Sequence, residues 1–128
     1  MSGRTFTPGR TASRLSVRSR IVLVPFPFDD LTSTKVRPAV CLTDEIGPHH
    51  HVVLAFITSQ VPELPSATDI VLRPEDPEFA VTGLRVASAL RLHRLMTVSA
   101  DMIRRRLGTL PDPVVTRVEG ALRELFQL

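Results

Sequence analysis

Residues 21–38 read IVLVPFPFDDLTSTKVRP, and this stretch decides the fold. Ile21–Val24 is a continuous apolar run, β-branched at three of its four positions, the pattern of a buried strand. Pro25 and Pro27 end regular pairing and force extended backbone. Phe26 and Phe28 alternate with them, which places both rings on one face. Asp29 to Lys35 is a polar loop without glycine. Arg37-Pro-Ala-Val-Cys-Leu-Thr43 forms the second strand. Pro38 restricts Arg37 to an extended conformation and so holds the root of its side chain still. On the residues alone Arg37 reads as a partner for Asp29 or Asp30 across the loop, and Thr58-Ser59 as the closure of a turn.

Further strands follow on both sides of that turn. Val52–Ile57 is apolar and stops abruptly at Thr58-Ser59-Gln60. Thr68–Leu72 is a short, peripheral fourth strand. Residues 73–83 (RPEDPEFAVTG) are a turn-rich acidic connection, and Glu75, Asp76 and Glu78 read as solvated rather than catalytic. Val86–Leu92 is a fifth strand, followed by Leu95–Val98 and a short helical turn at Ser99–Met102. Strand periodicity puts Arg91 and His93 on one face if the strand continues. In Ile103–Leu107, Arg104 to Arg106 read as a solvated edge. His49, His50 and His51 alternate faces on extended backbone, so they do not converge on one metal ion. At the end of the chain, Asp112 can cap a helix and Pro113 suits its first position. Val114, Val118, Ala121, Leu122 and Leu125 then make one apolar stripe, weakened a little by Gly120.

Five or six short strands and one amphipathic helix predict a mainly β fold, a small antiparallel barrel closed by a C-terminal helix. The 128 residues suit one domain, and 43% are hydrophobic, enough for a core. No apolar run reaches the roughly 18 residues of a membrane span. The single cysteine, Cys41, lies in an apolar strand and reads as a buried small hydrophobe; its use fits a reducing, cytoplasmic compartment. The net charge of +3 is unevenly spread. Residues 1–20 hold five arginines and no acid, while the remainder has 11 basic against 13 acidic residues. The high pI therefore belongs to the tail and does not by itself mark a nucleic-acid-binding domain. Residues 1–18 are expected to be a disordered basic extension and 19–128 the folded domain.

Taken in order, IVLVPFPFDDLTSTKVRPAV, AFITSQ, LRLHRLMTV and a closing IRRRLGTLP with its helix resemble the MazF/PemK toxin family over roughly residues 20–126. The resemblance implies an SH3-like barrel of the CcdB/PemK type, a homodimer, and a type II toxin held in check by an acidic antitoxin. It also implies an endoribonuclease that cuts single-stranded RNA without metal or cofactor. By that resemblance Arg37 matches the arginine that stabilises the phosphorane, and Thr58 the threonine that binds the scissile phosphate. Arg91 matches the arginine of an Arg-x-Asp pair whose aspartate is here His93, an imidazole suited to acid–base work near neutrality. Phe28, Thr34, Lys35, Ser59 and Gln60 are the residues expected to contact RNA. Ser19-Arg20 stands where the family usually has Gly-Asp, an exchange expected to alter the floor of the site. These departures leave a second reading, a barrel that binds antitoxin or RNA without cutting. A third, a topoisomerase-directed toxin like the CcdB barrel, is weaker. The basic extension reads as a solvated arm, with an RNA-steadying role as its alternative.

Overall fold

The computed structural model describes residues 16–25 and 35–128. The readings made above on Phe26, Phe28, Asp29, Asp30, Thr34 and residues 1–15 lie outside that range. Six strands are present: β1 (Arg20–Pro25), β2 (Val36–Cys41), β3 (His51–Thr58), β4 (Asp69–Leu72), β5 (Ser88–Ser99) and β6 (Arg105–Thr109). The helix α1 spans Asp112–Phe126. The strands form one antiparallel sheet in the order β4-β5-β3-β2-β1-β6, curled into a half-barrel. The predicted mainly β fold with its terminal helix is what the chain adopts, and β4 is the peripheral strand it was expected to be.

Alternation along the strands sends apolar side chains to both faces of the sheet. Ile21, Val40, Ala55, Ile57, Leu90 and Leu92 pack with Val114 and Val118 of α1. Val22, Val24, Ala39, Cys41, Val52 and Leu54 form the second cluster, flanked by Met96, Val98 and Ile103. Cys41 is buried in that second cluster, and burial pushes its thiol up to about 11, against a lowering by Arg20, so it is inert at neutral pH.

Three expectations need correction. The fifth strand is not two pieces but one, twelve residues long. Its register against β3 slips: Phe56 pairs with Arg91, yet Ala55 pairs with Leu95, leaving Leu92, His93 and Arg94 bulged out. An odd number of extra residues inverts the alternation. Accordingly Leu90 and Leu92 lie on the helix side, whereas Met96 and Val98 lie on the other. The helix also starts one residue early. Pro111 is its N-cap, and Asp112 makes no side-chain cap bond. The N–H groups of Val114 and Val115 both bond to the Pro111 carbonyl, so the turn is closed before Asp112 can act as cap. Its carboxylate instead sits in the first turn, where the helix dipole favours it. Finally, the packed region reaches further back than residue 19. The N–H groups of Val17 and Arg18 donate to Asp44 Oδ1 at 2.9 and 3.0 Å. Arg18 also pairs with Glu119 of α1 at 2.8 Å.

The connection between β4 and β5 is fixed by close backbone approach. A 3-10 turn at Phe79–Thr82 ends at Gly83 with φ 73°. The buried Thr82 hydroxyl donates to the Phe79 carbonyl at 2.7 Å and accepts from Leu84 N–H at 3.1 Å. A Cβ on Gly83 would collide with the Leu107 carbonyl, and one on Gly108 with the carbonyls of Val81 and Thr82. The turn and β6 are thus nested backbone on backbone, with glycine at both touching points.

Gly120 is different: it is helical, exposed, and a Cβ there meets nothing within 4 Å. Gly120→Ala is expected to raise stability by about 1 kcal/mol through helix propensity alone, read as a later urea midpoint at unchanged m-value.

Candidate functional site

The site is assembled by strand register. The β2–β3 ladder pairs Ala39 with Phe56. The paired ladder ends there; Arg37 and Thr58 lie two residues beyond it on their own strands, so alternation puts both side chains on the face of that last pair. That face is also Val24's, since Val24 pairs with Arg37, and Val24 belongs to the cluster away from the helix. Phe56 is two residues from Thr58 on the same face, and it pairs with Arg91. Arg37, Thr58 and Arg91 are therefore gathered on one side by pairing alone.

They line one open cleft of about 570 Å³, together with Ser59, Gln60, Arg85 and Arg94. Four of the lining residues are arginines, and among the described residues no carboxylate lines the cleft. The cleft suits an anionic, elongated ligand with several phosphates. The Thr58 hydroxyl oxygen accepts the Gln60 N–H at 3.0 Å, which leaves its own proton to donate. Thr58-Ser59-Gln60 is thus a turn closed by one face of a hydroxyl whose other face is available to a ligand.

Arg91 is held from behind. Its Nε lies 2.6 Å from Asp69 Oδ1, with the aspartate side chain 2% and the arginine side chain 28% exposed. The two atoms form an ion pair rather than an aligned hydrogen bond, and neither has another partner among the described residues. Burial works against the charged form of Asp69. That is the largest single effect, but the backbone and hydroxyl donors of Ser66 and the charge of Arg91 together outweigh it, so the carboxyl stays below its ordinary value. The Ser66 N–H and hydroxyl reach Oδ2 at 2.8 and 3.1 Å.

His93 is not in the cleft lining. Its Nδ1 lies 3.0 Å from Thr68 Oγ1. The expectation that His93 stands beside Arg91 in the site is therefore not met; from the bulged segment it is Arg94 that joins Arg91 in the lining. Lys35 is exposed and also stands apart from the lining. Ser19 lies at the start of β1 against Cys41 and Leu110, outside the cleft, so its exchange does not touch the floor of the site. Its φ of 72° keeps the left-handed backbone that glycine adopts most readily. Arg85 and Arg94 escaped the sequence reading. Arg85 belongs to no motif, and only the bulge makes Arg94 a cleft residue.

His50 Nδ1 bonds Glu45 Oε1 at 2.8 Å, while the His49 and His51 rings stand 5.8 Å apart. No group of three or more potential ligands is brought together among the described residues.

A family model described as "PemK-like, MazF-like toxin of type II toxin-antitoxin system" matches residues 17–126. No curated protein matches the chain in sequence. Among solved structures, the Mycobacterium tuberculosis toxin MazF-mt6 is similar at 25% identity and TM-score 0.64, over 85% of this chain and 97% of that one. A MazE–MazF structure from Deinococcus radiodurans superposes with TM-score 0.68 at 18% identity, over 89% and 97%. A mycobacterial endoribonuclease in complex with its cognate antitoxin superposes with TM-score 0.65 at 15% identity, over 88% and 95%.

The lowered Asp69 value fixes a sign. Its stabilising contribution is complete above the ordinary aspartate value of about 3.9 and is lost as pH falls through the lower, folded value. Thermal melts from pH 7 down to pH 2 should show the wild type losing stability in that acid range more steeply than Asp69→Asn. At neutral pH the variant should be less stable by about 3 kcal/mol, the low end for a buried pair that loses one partner.

Proposed function

The chain belongs to the PemK-like, MazF-like toxin family of type II toxin–antitoxin systems, and from that premise we propose that it is a metal-independent endoribonuclease acting on single-stranded RNA. The observation that carries the proposal is that Arg37 and Thr58, on one face of the sheet, line the same arginine-rich cleft. In the proposed reaction the ribose 2′-oxygen attacks the adjacent phosphorus and gives up its proton. The bond from phosphorus to the 5′-oxygen breaks, and that oxygen takes up a proton. The products are a 2′,3′-cyclic phosphate and a 5′-hydroxyl end. The nucleophile belongs to the substrate, so the protein's task is to hold the phosphate and neutralise the charge that grows on its equatorial oxygens.

Arg37 is suited to that task because its guanidinium is planar, permanently charged and rooted next to a proline. It is the proposed stabiliser of the phosphorane. Thr58 donates its hydroxyl to a non-bridging oxygen. Ser59 and Gln60 continue the polar wall along the strand of substrate. Arg85 and Arg94 attract the flanking phosphates. His93 is given no step, since it lies outside the cleft lining and is engaged with Thr68. The same cationic cleft is the proposed seat of an acidic antitoxin segment. Solved relatives include an endoribonuclease in complex with its cognate antitoxin and MazE–MazF structures. A homodimer working in the cytoplasm completes the proposal.

Three measurements test it. Arg37→Ala should lower cleavage of a mixed-sequence RNA by about 10²–10³-fold, as for removal of one transition-state donor, with an unchanged melting curve. Cutting should persist in excess chelator. A variant that cuts at full speed would remove Arg37 from the mechanism, and a wild type that binds RNA or acidic peptide without cutting would favour the non-catalytic barrel. Arg94→Ala should weaken binding to a non-cleavable RNA about equally for all sequences and reduce the slope of log affinity against log salt by about 0.7.

A further inference from the structure

One charged side chain with near-complete burial borders the cleft without lining it. Asp69 opens β4, directly opposite Arg91 in the β4–β5 register. Its two oxygens are used differently. Oδ2 takes both donors of Ser66, and Oδ1 meets Arg91 Nε. The Ser66 contacts fix the carboxylate from the far side, so it offers Arg91 a fixed anchor.

That division matters for the guanidinium. Nε is the inner corner of the planar fork, and the two Nη groups form its outer edge. With Nε turned onto Asp69, the outer edge has no hydrogen-bond partner among the described residues, and the side chain remains part of the cleft lining. The ion pair is not needed to hold β4 in place. Four residue pairs from Asp69↔Arg91 to Leu72↔Ser88 already do so, extended by Leu92 N–H to the Thr68 carbonyl at 2.9 Å. Nor does the pair add attraction for an anion, because Asp69 cancels the charge of Arg91. What it supplies is direction. An arginine beside a bulged segment would otherwise sample many rotamers, and each would have to be frozen out when a ligand arrives.

We infer that Asp69 is a positioning residue, which pins Arg91 by its Nε corner so that its Nη edge faces an RNA phosphate in the cleft. This rests on the ribonuclease reading above. Long-range attraction is left to Arg85 and Arg94, and Arg91 acts as an oriented donor.

The test is a double-mutant cycle on the full chain, with kcat and KM for RNA cleavage measured for wild type, Asp69→Asn, Arg91→Ala and the double variant. Asp69→Asn should lower kcat by about 10- to 100-fold, the scale of a misplaced contact, with KM within about 2-fold. In the Arg91→Ala background the same change should alter kcat by less than about 2-fold, because no guanidinium is left to aim. Equal losses in both backgrounds, or a lowered melting temperature with unchanged kcat, would overturn the inference and make Asp69 purely structural. Should Asp69→Asn not fold, the Arg91 Nε–H resonance of the wild type decides. It should exchange slowly and shift when a 2′-deoxy-substituted oligonucleotide is added, and a resonance indifferent to that ligand overturns the inference. A wild type that neither cuts nor binds RNA overturns the ribonuclease reading itself. A wild type that cuts in an Arg37-dependent way while the cycle is additive overturns this inference alone.

Discussion

Everything in the cleft depends on how β5 is held against its two neighbours. On one side β3 imposes a register that breaks at the Ala55–Phe56 step; on the other β4 runs in unbroken pairing from Asp69 to Leu72. The three bulged residues absorb the difference. Upstream of them β5 gives Leu90 and Leu92 to the helix-covered core; downstream it gives Met96 and Val98 to the opposite cluster. A strand that changes sides in this way bends and twists more strongly than a regular one. The cleft lies where that change occurs, lined by Arg91 just before the bulge and by Arg94, its last residue.

The electrostatics follow from this arrangement. Burying a carboxylate is unfavourable unless donors and an opposite charge surround it. Asp69 has both, in Ser66 and Arg91, and its ionised form is favoured as a result. The cleft is therefore a graded field rather than a uniform one. The charge of Arg91 is balanced by Asp69, while Arg85 and Arg94 are exposed and form no ion pair among the described residues. Such a gradient suits the proposed RNA ligand, because long-range attraction and short-range geometry are assigned to different side chains.

The sequence made the local features plain. The β-branched run at Ile21–Val24, the stripe on α1 and the proline after Arg37 each follow from chemistry within a few residues, and each is where it was expected. That Arg37 and Thr58 line one cleft was expected from the family resemblance; the residues alone offered only two polar strand ends in an otherwise apolar context. What stayed hidden was non-local. Nothing in LRLHRLMTV announces that three residues leave the ladder, so His93 looked like a partner of Arg91 and Arg94 looked like a bystander. Asp69 was read merely as part of a short edge strand, because its significance comes from a register that brings it opposite a residue 22 positions later. The Ser19 position misled in the opposite way: the side chain departs from glycine, but the backbone keeps glycine's shape.

The nesting of Gly83 against Leu107, and of Gly108 against Val81 and Thr82, carries a mechanical consequence. Leu84, Arg85 and Val86 follow immediately and form one bank of the cleft. Because the preceding turn is seated against an outer strand with no side chain between the two main chains, that bank cannot swing aside as a flap without prising β6 away as well. That bank of the groove is therefore preformed, its shape settled when the protein folds rather than when a ligand arrives.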